Sequence, residues 1–146
     1  MSIANADRKH SKKRDAILEC IRSTTSHPGA QWVYDQLKSD IPGLSLATVY
    51  RNINLFLREG SVISVGVVDG EERFDGRVAP HPHFVCECCG RVIDYDAPEL
   101  PVEFFDVMEN LKNLSHTQDR FVIDYRKTVF SGLCAECAHK QVKTTA

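Results

Sequence analysis

The sequence predicts a mixed α/β (α+β) fold of helices followed by strands, in two parts joined by a short linker. Three observations carry this. Three amphipathic helical patterns and a hairpin signal precede Gly76, the composition shifts just after it, and two Cys-x-x-Cys pairs, Cys86/Cys89 and Cys134/Cys137, bracket the remainder.

The totals narrow the class. With 146 residues, 42% of them hydrophobic and 26% charged, the chain is long enough for one domain or two very small ones and too apolar to be disordered throughout. Met1 to Arg14 is polar and basic rather than a signal peptide, and no apolar run reaches membrane-spanning length. A cytoplasmic, membrane-free location is therefore expected. There thiols stay reduced, so six cysteines in this pattern point to metal rather than disulfides. The net charge of −2 hides an asymmetry: residues 1–60 hold nine Lys or Arg against six Asp or Glu, and residues 61–146 hold nine against fourteen. The first part can face phosphate and the second cannot do so readily.

The spacing predicts a first helix over Arg8 to Arg22, with Ala16, Ile17, Cys20 and Ile21 as its apolar stripe and Lys12, Lys13 and Arg14 on exposed turns. A loop from Ser23 to Gly29 leads to a second helix, about Ala30 to Lys38, with Trp32, Val33 and Leu37 facing inward. Ser45 caps a third, Leu46 to Glu59, stopped by Gly60. Its stripe is Leu46, Val49, Ile53, Phe56 and Leu57; the opposite face offers Thr48, Tyr50, Arg51, Asn52 and Asn54 as hydrogen-bonding groups for phosphates or base edges. Val62 to Val68, the turn pair Asp69-Gly70 and Glu71 to Phe74 read as a hairpin. Helix-helix-helix-hairpin is the order of a winged helix-turn-helix whose third helix enters the major groove. Periodicity alone fits an ordinary solvated helix face equally well.

Residues 1–76 thus form the first predicted domain, 77–80 (Arg77-Val-Ala-Pro80) the hinge, and 81–146 the second domain. There a strand from His83 to Cys86, a return along Arg91 to Tyr95, a helix from Pro98 to Leu114 and a strand from Arg120 to Phe130 are expected. So small a module with one long strand buries too little alone, and dimerisation is the simplest remedy; two reading heads would then match a palindromic double-stranded DNA operator.

Two ligand chemistries meet in His81 to Asp94. Cys86, Cys89, Cys134 and Cys137 form a closed four-sulfur set, suited to structural Zn2+. His81 and His83 alternate along the expected strand and Asp94 follows the knuckle, a sulfur-free set suited to Fe2+ or Mn2+. Cys20 reads as a small buried hydrophobe of the first helix, and Cys88 as a bystander or a redox-sensitive neighbour of the knuckle.

At this point the chain resembles the ferric uptake regulator superfamily over nearly its whole length. Ser45 to Arg51 looks like its recognition-helix signature, and His81-x-His83, Cys86-x-x-Cys89-Gly90 and Cys134-x-x-Cys137 match its metal segments in order. Within the superfamily, His27, Asp75, His81, His83 and Asp94 resemble the regulatory site of the peroxide-sensing repressors. Iron-uptake members commonly have glutamate at the positions of Asp75 and Asp94, and a further site whose ligands would fall at Pro80, Pro82 and Thr117, none of which binds metal through its side chain. Arg51 is instead the residue usual in iron-uptake regulators. The resemblance implies a homodimeric, non-enzymatic transcriptional repressor whose five-ligand ion clamps the two domains. Hydrogen peroxide would be its signal, and oxidation of His27 or His81 would break the site. The alternatives are an iron- or manganese-responsive uptake repressor untouched by peroxide and, from other classes, a zinc-stapled protein-interaction module or a metal-dependent hydrolase.

Overall fold

The computed structural model describes residues 11–79, 81–95, 103, 106 and 128–144. Its elements are α1 (Lys12–Arg22), α2 (Ala30–Leu37), α3 (Leu46–Glu59), β1 (Ile63–Val68), β2 (Glu71–Asp75), β3 (His83–Cys86), β4 (Val92–Asp94), β5 (Val129–Gly132) and α4 (Ala135–Thr144).

The three helices close on one apolar core, with Ile17 and Ile21 from α1, Val33 from α2, and Val49, Ile53 and Phe56 from α3 all fully buried. Each such side chain contributes about 1.5–3 kcal/mol on leaving water. Phe74 of β2 and Val62 join the same cluster, so the hairpin is packed to the bundle rather than appended to it. α3 follows its expected bounds. Ser45 Oγ accepts from the Thr48 amide at the N-terminus, and Gly60, at φ 72°, takes the left-handed cap at the other end.

Several expectations are corrected. α1 starts at Lys12, because Ser11 is extended. Lys12 is exposed as expected, whereas Lys13 and Arg14 are half-buried, Lys13 Nζ donating to the Gly43 carbonyl at 3.0 Å and Arg14 pairing with Glu59 at 2.6 Å. Trp32 lies off the Ala30/Val33 stripe of a helix of only two turns, and it remains 38% exposed.

β1 and β2 form an antiparallel hairpin through Asp69 and Gly70, at φ 52° and 79°, the paired left-handed residues of a type I′ turn. The second sheet has the order β4-β3-β5, with β3 antiparallel to β4 and parallel to β5. β5 runs on to Gly132, beyond the expected end at Phe130; the rest of the strand expected from Arg120 lies outside the described residues. Of the helix expected over Pro98 to Leu114, Glu103 and Asp106 are described, both helical. Val65 and Val68 of β1 pack against Val92 and Val85, so a small apolar cluster joins the hairpin to the second sheet. No helix among the described residues is long and apolar enough to cross a membrane.

Candidate metal centres

β3 carries one end of each candidate centre. His83 opens the strand and Cys86 closes it, a separation of roughly 10 Å at about 3.3 Å per residue. At the Cys86 end, parallel pairing sets Cys86 opposite Gly132, which brings Cys134 alongside, and Cys137 follows on the first turn of α4. The knuckle closes with the Gly90 amide donating to the Cys86 carbonyl at 2.9 Å, Gly90 being left-handed at φ 67°. The sulfurs of Cys86, Cys89, Cys134 and Cys137 all lie within 4.8 Å of one another, and Cys89 and Cys134 are 3.9 Å apart. Tetrahedral sulfurs bonded at about 2.3 Å to zinc sit roughly 3.8 Å apart, so the quartet has the size of a zinc cage.

The thiols differ in acidity. The Cys134 amide, donating to Cys86 Sγ at 3.3 Å, and the Cys89 amide hold the Cys86 thiol down at about 6. Hydrogen bonding to Cys134 and Cys88 pushes Cys137 up. A cation at the centre would remove this inequality by favouring the thiolate at all four. Cys88 is exposed and outside the quartet, and Cys20 packs at the edge of the helical core with its thiol raised by burial.

At the other end of β3, antiparallel pairing puts Asp94 directly opposite His83. His81 lies just before the strand, not within it as the alternation suggested, yet its ring reaches the same point. β2 brings Asp75 as its last residue, and the loop before α2 brings His27. All three histidines and Asp75 are buried, and one ligand atom from each of His27, Asp75, His81, His83 and Asp94 falls within 4.8 Å of all the others.

The polar geometry converges on a point. Asp75 Oδ2 lies 2.8 Å from His81 Nε2, 3.0 Å from His83 Nε2 and 3.4 Å from His27 Nε2. Asp94 Oδ1 lies 2.5 Å from His27 Nε2, 3.1 Å from His81 Nε2 and 3.3 Å from His83 Nε2. Two carboxylate oxygens could accept from three Nε2–H groups, but the short His81 Nδ1 approach to the Ala79 carbonyl suits an Nδ1–H and turns the Nε2 lone pair of a neutral His81 ring toward both carboxylates, an arrangement that one divalent cation would satisfy. The orientation is set from outside: His81 Nδ1 is 2.7 Å from the Ala79 carbonyl, and the Arg77 amide donates to Asp75 Oδ1 at 2.7 Å. Burial opposes charge on His27, but hydrogen bonding to Asp75 and the charges of Asp94 and Asp75 outweigh it and raise its pKa above 6.5. Burial likewise opposes ionisation of Asp75, and hydrogen bonds from His27, His83 and the Arg77 amide reverse it, holding the carboxyl well below its usual range.

On α3, Tyr50, Arg51 and Asn54 are exposed. Thr48 and Asn52 are half-buried and already engaged, Thr48 Oγ1 with Ser45 and Arg51, and Asn52 Nδ2 with the Thr48 carbonyl at 2.8 Å. Nothing in the sequence marked Arg73, whose guanidinium holds the His27 loop; two-residue spacing from Asp75 on one strand was the available signal.

A three-helix and hairpin unit joined to a small α/β unit, with two clusters of metal-ligand side chains, defines the class of metal-responsive DNA-binding regulators. The Ferric uptake regulator family model matches residues 5–119, and the chain belongs to that family, whose members are dimeric DNA-binding transcriptional regulators and not enzymes. The chain is 30% identical over 139 residues to the peroxide-responsive repressor PerR of Staphylococcus aureus, covering 95% of this chain and 88% of that one. The fold is shared with the Helicobacter pylori ferric uptake regulator Fur, whose structure is described as revealing three functional metal binding sites (TM-score 0.73, 18% identity, 89% of this chain and 82% of that one). It is shared also with the Campylobacter jejuni peroxide stress regulator (TM-score 0.65, 24% identity, 86% and 88%).

Proposed function

We propose that this family member is a repressor that senses hydrogen peroxide through a regulatory Fe2+ or Mn2+ site made of His27, Asp75, His81, His83 and Asp94. A separate Zn2+ held by Cys86, Cys89, Cys134 and Cys137 serves structure. One observation carries the reading: five sulfur-free ligand atoms, drawn from both halves of the chain, converge within 4.8 Å. The division into residues 1–76 for DNA, 77–80 as hinge and 81–146 for dimerisation belongs to the same reading, as do Thr48, Tyr50, Arg51, Asn52 and Asn54 on the DNA-facing side of α3.

This chain's residues do most of the work. His27 and Asp75 come from the helical and hairpin part; His81, His83 and Asp94 come from the second sheet and its approach. Gathering all five fixes the two parts in one relative orientation, which is the differential contact that lets an ion shift a population toward the DNA-competent state. Fe2+, if bound, would supply reductive cleavage of the peroxide O–O bond, one oxygen entering an imidazole that loses two electrons and its C–H proton and the other leaving as water, chemistry that Mn2+ does not readily supply. The rings of His27 and His81 stand beside that event, each with Nε2 within 3.1 Å of Asp94 Oδ1. Loss of His27 as a ligand would free its loop from Asp94 of the second sheet, and loss of His81 would leave the ion one ligand short; either would weaken the clamp on which repression depends. The relative named as a peroxide-responsive repressor, at 30% identity across 95% of the chain, supports this over simple metal sensing.

The test is a brief peroxide pulse on the protein loaded with Fe2+ and, in parallel, with Mn2+. Peptides containing His27 or His81 should gain one oxygen in the Fe2+ sample only, with loss of affinity for a palindromic duplex. Unmodified peptides and unchanged affinity would leave an iron- or manganese-responsive repressor instead.

A further inference from the structure

Arg73 lies on β2 two residues before Asp75, so strand alternation puts both side chains on the same face. Asp75 presents Oδ2 to the imidazole cluster, whereas Arg73 reaches back to the loop that carries His27. Its Nε donates to the His27 carbonyl at 2.5 Å and its Nη2 to the Ser26 carbonyl at 3.1 Å. The neighbouring residue ties down the other side of the loop, the Phe74 amide donating to the Pro28 carbonyl at 3.0 Å. The held residue is left-handed: His27 has φ 52°, a region uncommon for residues other than glycine but one that histidine visits more often than most, so the loop's hydrogen bonds help to select it. In that conformation its imidazole is buried, with Nε2 2.5 Å from Asp94 Oδ1.

We infer that Arg73 is the positioning residue of the five-ligand site, its two hydrogen bonds to the Ser26 and His27 carbonyls holding His27 in the left-handed conformation that aims its ring at the ion. The inference rests on the regulatory-metal reading above. One strand of the hairpin then supplies one ligand directly and fixes a second by its backbone. The hairpin and the His27 loop are thereby tied to one another, while His83 and Asp94 are set by the β3–β4 pairing. The fork geometry of guanidinium is needed to grip two adjacent carbonyls at once; a lysine ammonium on a flexible stem reaches one of them less reliably.

The experiment uses full-length, zinc-loaded protein with Arg73→Met, Arg73→Lys and His27→Ala beside wild type. Mn2+ affinity is measured by titration, and the ligand-field bands are recorded with Co2+ as a spectroscopic stand-in at the same site. Arg73→Met should bind Mn2+ roughly 10–100-fold more weakly, the usual cost of losing an outer hydrogen-bonding support of a metal ligand. Arg73→Lys should recover part of that loss. The Co2+ bands of Arg73→Met should shift toward those of His27→Ala, and the thermal midpoint of the zinc-only form should stay close to wild type. A purely structural arginine would lower that midpoint and leave the Co2+ bands at their wild-type positions. Wild-type Mn2+ affinity or wild-type Co2+ bands in Arg73→Met, with His27→Ala clearly weakened, overturns the role of Arg73 and spares the site. If His27→Ala itself binds as wild type does, the five-ligand reading fails and the inference fails with it.

Discussion

At the scale of single residues, the proposed regulatory cluster would set a cation and a proton in competition for the same buried nitrogens. In the ion-free protein the carboxylates of Asp75 and Asp94 raise the pKa of His27, so its proton is held to a higher pH than in a free imidazole. An incoming divalent ion must displace that proton. The sign follows: below the His27 pKa the proton opposes the ion, and above it the opposition disappears. Apparent Mn2+ affinity should therefore climb with pH while His27 remains protonated, by up to about tenfold per unit, and level off only once pH passes the raised pKa of His27, above the ordinary imidazole range. Isothermal titration against pH checks it, and a flat affinity would show that no His27 proton is displaced. The same residues show how unequally a sequence displays its chemistry. The sulfur quartet was readable because its spacing is the chemistry. His27, by contrast, precedes a proline in a polar loop and was recovered through family resemblance, because what makes it a candidate ligand is a left-handed backbone and a carbonyl clamp from Arg73, neither of which leaves a local pattern.

Among the elements, α3 and the knuckle show what periodicity and turn chemistry can specify. Ser45, the Val49/Ile53/Phe56 stripe and Gly60 encode start, buried face and stop within α3 itself, and its bounds agree with expectation. Trp32 and His81 were less legible for opposite reasons. α2 is too short for its stripe to be unambiguous, and His81 reaches the metal point from outside β3, by a chain direction that period-two alternation does not describe. Gly90 tests the knuckle as a packed element. It sits at φ 67°, and an added Cβ would come within 2.2 Å of Asp69 Oδ2 in the hairpin turn. Gly90→Ala should thus cost about 1–2 kcal/mol for the backbone, with the Asp69 carboxylate at the tip of its side chain turned aside. Thermal unfolding of the zinc-loaded variant measures this, and an unchanged midpoint would mean that the knuckle does not need the left-handed turn at Gly90.

For the molecule as a whole, the helical half meets the sheet half at the apolar cluster of Val65 and Val68 with Val85 and Val92, at the approach of Asp69 to Gly90, and at the five-ligand centre. The apolar cluster is small, and under the proposed function a cation at the five-ligand centre would select one arrangement of the halves. The unlike chemistry of the two ligand sets was legible in the sequence. That His83 and Cys86 occupy opposite ends of a single four-residue strand was not, because it depends on the register of β3 with β4 and β5. The most direct measurement is affinity for a palindromic duplex at fixed salt, with zinc retained, before and after removal of the ion held by His27, Asp75, His81, His83 and Asp94. Binding should weaken at least about tenfold on removal and return when Mn2+ is restored, within the range usual for coupled sites. Equal affinity in both states would contradict the claim that this ion decides whether the reading heads fit their operator.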